Sequence, residues 1–202
     1  MICWAIKIIK ESKLFDFVCV SSDSNKILNI AKKCGVEILI KRPINLSDDM
    51  TPTKPVIIHA IEHLKKMKIK FETICCVYPC NPFMLSKDLK KAFGIYKKNN
   101  SKFVFPVVEY SHPIQRALRI DNKSRVKSVS FVNAKKRTQD LEKAYFDSGQ
   151  FYFGSKSIWQ SNKDIHNNGM PLIIPSWRVV DIDNLNDWKR AELLFQIFKY
   201  FK

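Results

Sequence analysis

"FVCVSSDSNKILNIAKKCGVEILI", Phe17–Ile40, sets a strand, a turn, a helix and a second strand in one run. "FVCVSS" is short, apolar and β-branched, as a buried strand should be. From Asn25 the pattern changes: Ile27, Ile30, Ala31 and Cys34 recur at helical spacing. Gly35 follows the last of them and supplies the helix stop, after which "VEILI" resumes as strand. Such a unit predicts a parallel strand pair with the helix as its crossover.

The alternation continues in both directions. Ile2, Ile6 and Ile9 predict a helix over 2–12. The loop "KRPINLSDDMTPT" leads into a helix from about Thr53, where Pro55 is tolerated in the first turn. Val56, Ile57, Ala60, Ile61 and Leu64 form its apolar stripe. "TICCVY", the turn "PCNP", a helix near Ser86–Asn99 and the strand "FVFPVV" follow. Residues 109–150 are polar and irregular, which marks an excursion from the sheet. The strands "QFYFG" and "RVVDI" come next, then a closing helix carrying Trp188, Ala191, Phe195 and Phe198. The expectation is one α/β domain over 1–202, a mostly parallel sheet covered by helices on both faces.

Composition narrows the function. With 202 residues, 46% of them hydrophobic, and 14 Phe and 4 Trp, the chain can bury a core. The formal net charge of +16 suits anionic partners, yet the lysines are scattered and form no block. A basic RNA- or DNA-binding module would cluster its charges among exposed aromatics, and here the aromatics sit in strand and helix cores. No nucleic-acid partner is expected. The six cysteines make no C-x-x-C pair, so neither zinc nor a disulfide framework is expected, and a reducing cytoplasm is. No stretch reaches the roughly 20 apolar residues of a membrane span.

In an open α/β sheet, ligands bind beyond the carboxyl ends of the strands. That rule selects "SSDS" (21–24), "YPCNP" (78–82), "PVVEYSHP" (106–113) and "DID" (181–183). Asp181 and Asp183 stand two residues apart, roughly 6.6 Å in an extended strand, with both carboxylates on one face and Ile182 toward the core. Two converging acids suit a hard, oxygen-preferring ion such as Mg²⁺. The local alternative is that one Asp satisfies loop amides while Asn186 caps the helix beginning near Asp187.

Several segments, in order, carry a resemblance. "VCVSSDSNKILNIAKKCGVEI", "KRPINLSDD", "YPCNPF", "KKRTQDLEKAYFDSGQFYFG" and "VVDIDNLNDWKRAE" together resemble the acylneuraminate (CMP-sialic acid synthetase-like) cytidylyltransferases, which couple CTP to nine-carbon 2-keto sugar acids. Tyr78 and "SGQFYFG" are more similar to the pseudaminic acid branch. The resemblance implies a three-layer, Rossmann-like nucleotide-diphospho-sugar-transferase fold and Mg²⁺ on Asp181 and Asp183. It implies Ser21, Asp23 and Arg42 near the nucleotide, and Tyr78, Gln150, Arg137 and Gln139 at the sugar acid, with Arg137 suited to the carboxylate. The bland readings are a helix-end acid for Asp23, loop charges for Arg42 and Arg137, and core or sheet-edge filler for Tyr78 and Gln150. A homodimer is implied, built partly by 109–150, which also shapes the partner's sugar site.

The family usually opens with a strand and a basic, Gly-rich phosphate loop ending near "G-x-P-M-I". Met1-Ile2 stands where that ending would be, so roughly thirty residues, about one βαβ unit, have no counterpart here. The expectation is a sheet lacking its usual first strand, and a 202-residue form of low stability and little turnover. A non-catalytic dimerising remnant is the alternative reading.

Overall fold

The computed structural model describes residues 1–99 and 102–198. The chain runs through α1 (Ile2–Ser12), β1 (Cys19–Ser22), α2 (Asn25–Lys33), β2 (Ile38–Lys41), α3 (Thr53–Lys66), β3 (Thr73–Val77), α4 (Ser86–Lys98) and β4 (Phe103–Glu109). It continues through β5 (Leu118–Ile120), β6 (Val126–Ser128), α5 (Phe131–Ala134), β7 (Tyr145–Asp147), β8 (Phe151–Ser155), α6 (Lys156–Gln160), β9 (Gly169–Ile173) and α7 (Leu185–Phe198). The opening unit folds as its pattern predicts. β1 and β2 pair in parallel, Ser24 caps α2, and Gly35 takes the left-handed conformation (φ 81°) just past the helix end.

The larger sheet has the order β3-β8-β4-β7, with β9 on β4. β8 runs antiparallel to both β3 and β4, so β3 and β4 share a direction, and β9 shares it too. The common direction holds for these three strands, while β7 and β8 run against it.

Alternation along the strands feeds two cores. Val104 and Val108 of β4, Phe151 and Phe153 of β8, and Cys75 and Val77 of β3 face α1 and α4. Phe103, Phe105, Val107, Tyr152 and Cys76 face α3 and α6. Helices thus cover both faces, as strands apolar on both sides require. α7 closes one end over Phe83, Leu85 and Val180.

Three expectations are corrected. "RVVDI" is not a strand: Ser176–Arg178 forms one 3-10 turn and the chain then runs extended without a ladder. Its backbone groups are already used, since the Arg178 carbonyl accepts from Gln150 Nε2 (3.1 Å) and Val179 N donates to Ser176 O (3.2 Å). The strand of that region is instead β9, which holds Gly169 and Pro171, tolerated because it is an edge strand. Finally, Cys3 and Cys34 are joined as a disulfide with Cα atoms 5.7 Å apart, against the expectation of free thiols. Packing of α1 and α2 on one face of β1–β2, around Ile6, Ala31 and Val20, brings the two together.

β1–β2 and the five-stranded sheet are separate ladders. They share covering helices: α1 sends Ile6 to the first and Ala5 and Ile8 to the second, and α3 sends Leu64 to the first and Ile61 to the second. In the excursion, β5 and β6 form a hairpin whose turn is organised by Asp121, which accepts from the backbone N–H groups of Lys123 and Arg125.

Candidate active site

A cleft of about 1070 Å³ opens between the end of β4, the β7–β8 turn and the start of α7. Asp181 and Asp183 both line it, while Ile182 turns into the cluster under α7. Both acids thus line one cleft with Ile182 turned away from it, although the segment is not a strand. Asn184 caps α7 instead of Asn186, its Oδ1 accepting from the backbone N–H groups of Asn186 (2.9 Å) and Asp187 (3.1 Å). Asp187 returns the favour by accepting from Asp183 N and Asn184 N. Capping thus needs neither Asp181 nor Asp183. Among the described residues neither carboxylate is in an ion pair. Two unneutralised hard-oxygen donors in an open cleft fit a divalent cation that keeps other positions for water and phosphate. Among the described residues no third His, Cys, Asp or Glu joins them as a metal cluster.

Ser21, Asp23 and Arg42 come together at the carboxyl ends of β1 and β2. Arg42 N donates to Ser22 O (3.0 Å), and its guanidinium stands 3.6 Å from the Asp23 carboxylate. Ser21 Oγ, Arg42 Nε and His59 Nδ1 are buried without a hydrogen-bond partner among the described residues. Burial, then the charges of His63, Lys66 and Arg42, hold the His59 imidazole below its ordinary value. Asp23 is not the cap of α2; Ser24 is.

Tyr78 and Gln150 are neighbours, Tyr78 N donating to Gln150 O (3.0 Å). The Tyr78 hydroxyl bonds Thr53 Oγ1, and burial pushes its phenol up. Gln150 is 1% exposed, so its side chain lies inside the molecule, bound to the Arg178 carbonyl, with its own Oε1 unpartnered among the described residues. Behind it, Arg178 enters the core and forms a buried ion pair with Asp88. This chain of contacts fixes the approach to Asp181.

Arg137 and Gln139 are not brought into the cleft. Both are exposed on the excursion, and the guanidinium of Arg137 is held by Asp140 (2.8 and 3.1 Å). Residues that sequence reasoning missed stand in the β7–β8 turn. Asp147, Ser148 and Gly149 line the cleft beside Asp181 and Asp183. Asn81, 8% exposed, donates to both Tyr78 O and Gly149 O at 3.0 Å, tying the "YPCNP" turn to this one. The signal was present as "DSG", an acid, a hydroxyl and a glycine following an aromatic strand.

Comparison with known proteins decides the family. The profile described as "Cytidylyltransferase" matches residues 1–167. The chain belongs to the cytidylyltransferase family. A pseudaminic acid cytidylyltransferase of Campylobacter jejuni subsp. jejuni serotype O:2 is 34% identical to this cytidylyltransferase over 198 residues, covering 98% of the chain and 85% of the relative. An N-acylneuraminate cytidylyltransferase of Oncorhynchus mykiss is 24% identical over 202 residues, covering 100% of the chain and 45% of that protein. The fold is shared with a CMP:2-keto-3-deoxy-manno-octonic acid synthetase solved with CTP, at TM-score 0.59 and 11% identity over 94% of this chain and 87% of that one. It is shared also with the 4-diphosphocytidyl-2C-methyl-D-erythritol synthase of Anaerococcus prevotii, at TM-score 0.56 and 13% identity over 95% and 88% of the two chains. The expected three-layer transferase fold is therefore that of this cytidylyltransferase.

Proposed function

We propose that this cytidylyltransferase couples CTP to a nine-carbon 2-keto sugar acid, pseudaminic acid, giving the CMP-sugar and pyrophosphate. Similarity along nearly the whole chain to an enzyme named for that substrate supports the reading, and the paired acids in one cleft carry the chemistry. In this reaction the anomeric hydroxyl oxygen forms a bond to the α-phosphorus of CTP in line. The bond from that phosphorus to the bridging oxygen breaks, pyrophosphate leaves, and the hydroxyl proton is released. Asp181 and Asp183 would hold Mg²⁺, which when bound supplies positive charge against the triphosphate. Lys189 and Arg190, on the same cleft wall, face the anion from the protein side. Ser21, Asp23 and Arg42 serve the nucleotide, and Tyr78 and Gln150 shape the sugar end.

The partner is a second copy. Leu118, Ile120, Val126 and Phe131 of the excursion are 64%, 74%, 62% and 72% exposed, and a two-stranded hairpin has marginal stability alone. Pairing through this surface covers it and carries Arg137 and Gln139 toward the partner's cleft. The enzyme works in the cytoplasm, beside its nucleotide. Among the described residues no helix is long and apolar enough to cross a membrane.

The test is pyrophosphate release from CTP, Mg²⁺ and pseudaminic acid. Turnover dependent on all three supports the reading. Turnover with another keto sugar acid and none with pseudaminic acid would shift the substrate, and release independent of any sugar acid would overturn it.

A further inference from the structure

The β7–β8 turn holds a polar group with no hydrogen-bond partner among the described residues. Ser148 is 8% exposed, its Oγ is buried and unpartnered, and it lines the cleft that contains Asp181 and Asp183. A buried hydroxyl left unpaired costs stability, which a bound oxygen would recover. Its backbone is fixed on both sides. Ser148 N donates to Pro106 O (3.1 Å), and Gly149, at φ 63°, has its N–H on Asp147 Oδ1 (2.9 Å) and its carbonyl on Asn81.

Asp147 organises this turn from behind. Its Oδ2 accepts from the Tyr152 hydroxyl (2.8 Å) and stands 2.8 Å from His166 Nε2. Burial, then the neighbouring Asp147 charge, push the Tyr152 phenol far up, so it stays a donor. His166 packs edge-on against Phe105 at 5.5 Å, which holds the ring in place beside Asp147. The carboxylate is thus held from three directions, and a fully satisfied carboxylate of this kind sets the position of the turn that carries Ser148.

We propose that Ser148 is a further substrate-contacting residue, hydrogen-bonding an oxygen of the sugar acid, and that Asp147 and His166 are its positioning residues. This rests on the function proposed above. Through Asn81 the turn is tied to Tyr78, and with Tyr78 at the sugar end as proposed above, Ser148 belongs to that end of the cleft. Tyr110, at the end of β4 beside β7, offers the same cleft a half-exposed aromatic face, and an aromatic face with a hydroxyl donor suits a polyhydroxylated ring.

The test combines kinetics with calorimetric binding of pseudaminic acid to the intact chain. Ser148→Ala should raise KM for the sugar acid, and weaken its binding, about tenfold, as loss of one hydrogen bond does. KM for CTP and kcat should stay within about twofold. His166→Ala should produce a smaller rise in the same constant, and His166→Gln, which keeps a donor toward Asp147, should restore it. Ser148→Thr, which retains the hydroxyl, serves as the second variant should Ser148→Ala fold poorly. A rise in KM for CTP instead would assign Ser148 to the nucleotide and overturn the proposal. So would unchanged constants in Ser148→Ala, or a His166→Ala effect on melting temperature alone. If the unaltered chain binds the sugar acid without turning over, the proposed function fails, while the comparison of binding by wild type and Ser148→Ala still decides the contact.

Discussion

Replacing Asp181 or Asp183 with Asn keeps the shape of the cleft wall and removes a charge that, among the described residues, is in no ion pair. Each variant should lose roughly 10²–10³ in kcat, the usual cost of one preorganised electrostatic group. Its unfolding curve should stay superimposable on wild type, because capping of α7 is the work of Asn184 and Asp187. Unchanged turnover would return both acids to a structural role. His59 makes a pH prediction. Its imidazole lies below the ordinary 6.5, so the unfolded chain binds a proton that the folded chain resists. Stability from this group is complete above pH 6.5 and is lost as pH falls through the lowered folded value. Urea midpoints between pH 5 and 7 should rise less steeply in His59→Gln. The thiols divide in the same manner. Burial pushes Cys76 up to about 12 and Cys75 well above its usual value, whereas Cys80 is exposed on its turn. A thiol reagent at neutral pH should therefore modify Cys80 first and leave Cys75 and Cys76 until the chain unfolds.

At the scale of elements, two connections hold the site. One is the buried Asp88–Arg178 pair, which pins the start of α4 to the segment entering the cleft. Asp88→Ala leaves an uncompensated guanidinium 5% exposed and should cost about 3–5 kcal/mol in chemical denaturation. The other is the β7–β8 turn. An added Cβ at Gly149 would meet nothing within 4 Å, so Gly149→Ala tests backbone alone at φ 63°. It should cost roughly 1–2 kcal/mol, with Gly149→Asn milder. These connections explain what the sequence made legible. Helices α1 to α4 and strands β1 to β4 follow from periodicity, Gly35 and the turn formers, because local pattern and burial agree there. β9 was hidden because Gly169 and Pro171 argue against a strand that only an edge position rescues. "RVVDI" misled because its apolar run is buried by α7 and not by a ladder. The acid pair was singled out by its spacing together with the family resemblance, and the fold sets both residues on one cleft. Asp147 and Ser148 were not singled out, since their meaning lies in partners from 19 residues downstream to 68 upstream of the turn.

For the whole molecule, the homodimer proposed above would form through the exposed apolar hairpin. Light scattering should give twice the chain mass, and Ile120→Glu with Phe131→Glu should return it to one chain, since both side chains are more than 70% exposed. Loss of turnover along with the dimer would mean that one copy completes the other's site.

The division between the β1–β2 ladder and the five-stranded sheet has a mechanical consequence. Within either ladder, separation must shear a row of backbone hydrogen bonds together. Between them the joint consists of side chains, those of α1 and α3 with Phe15 on Phe153 and Phe17 on Phe71, and packed side chains slip past one another one contact at a time. A chain pulled from residues 40 and 153 in an optical trap should therefore yield at low force along this seam. The remainder, from β3 onward, should then stretch as a stiffer body and rupture in a later, sharper event.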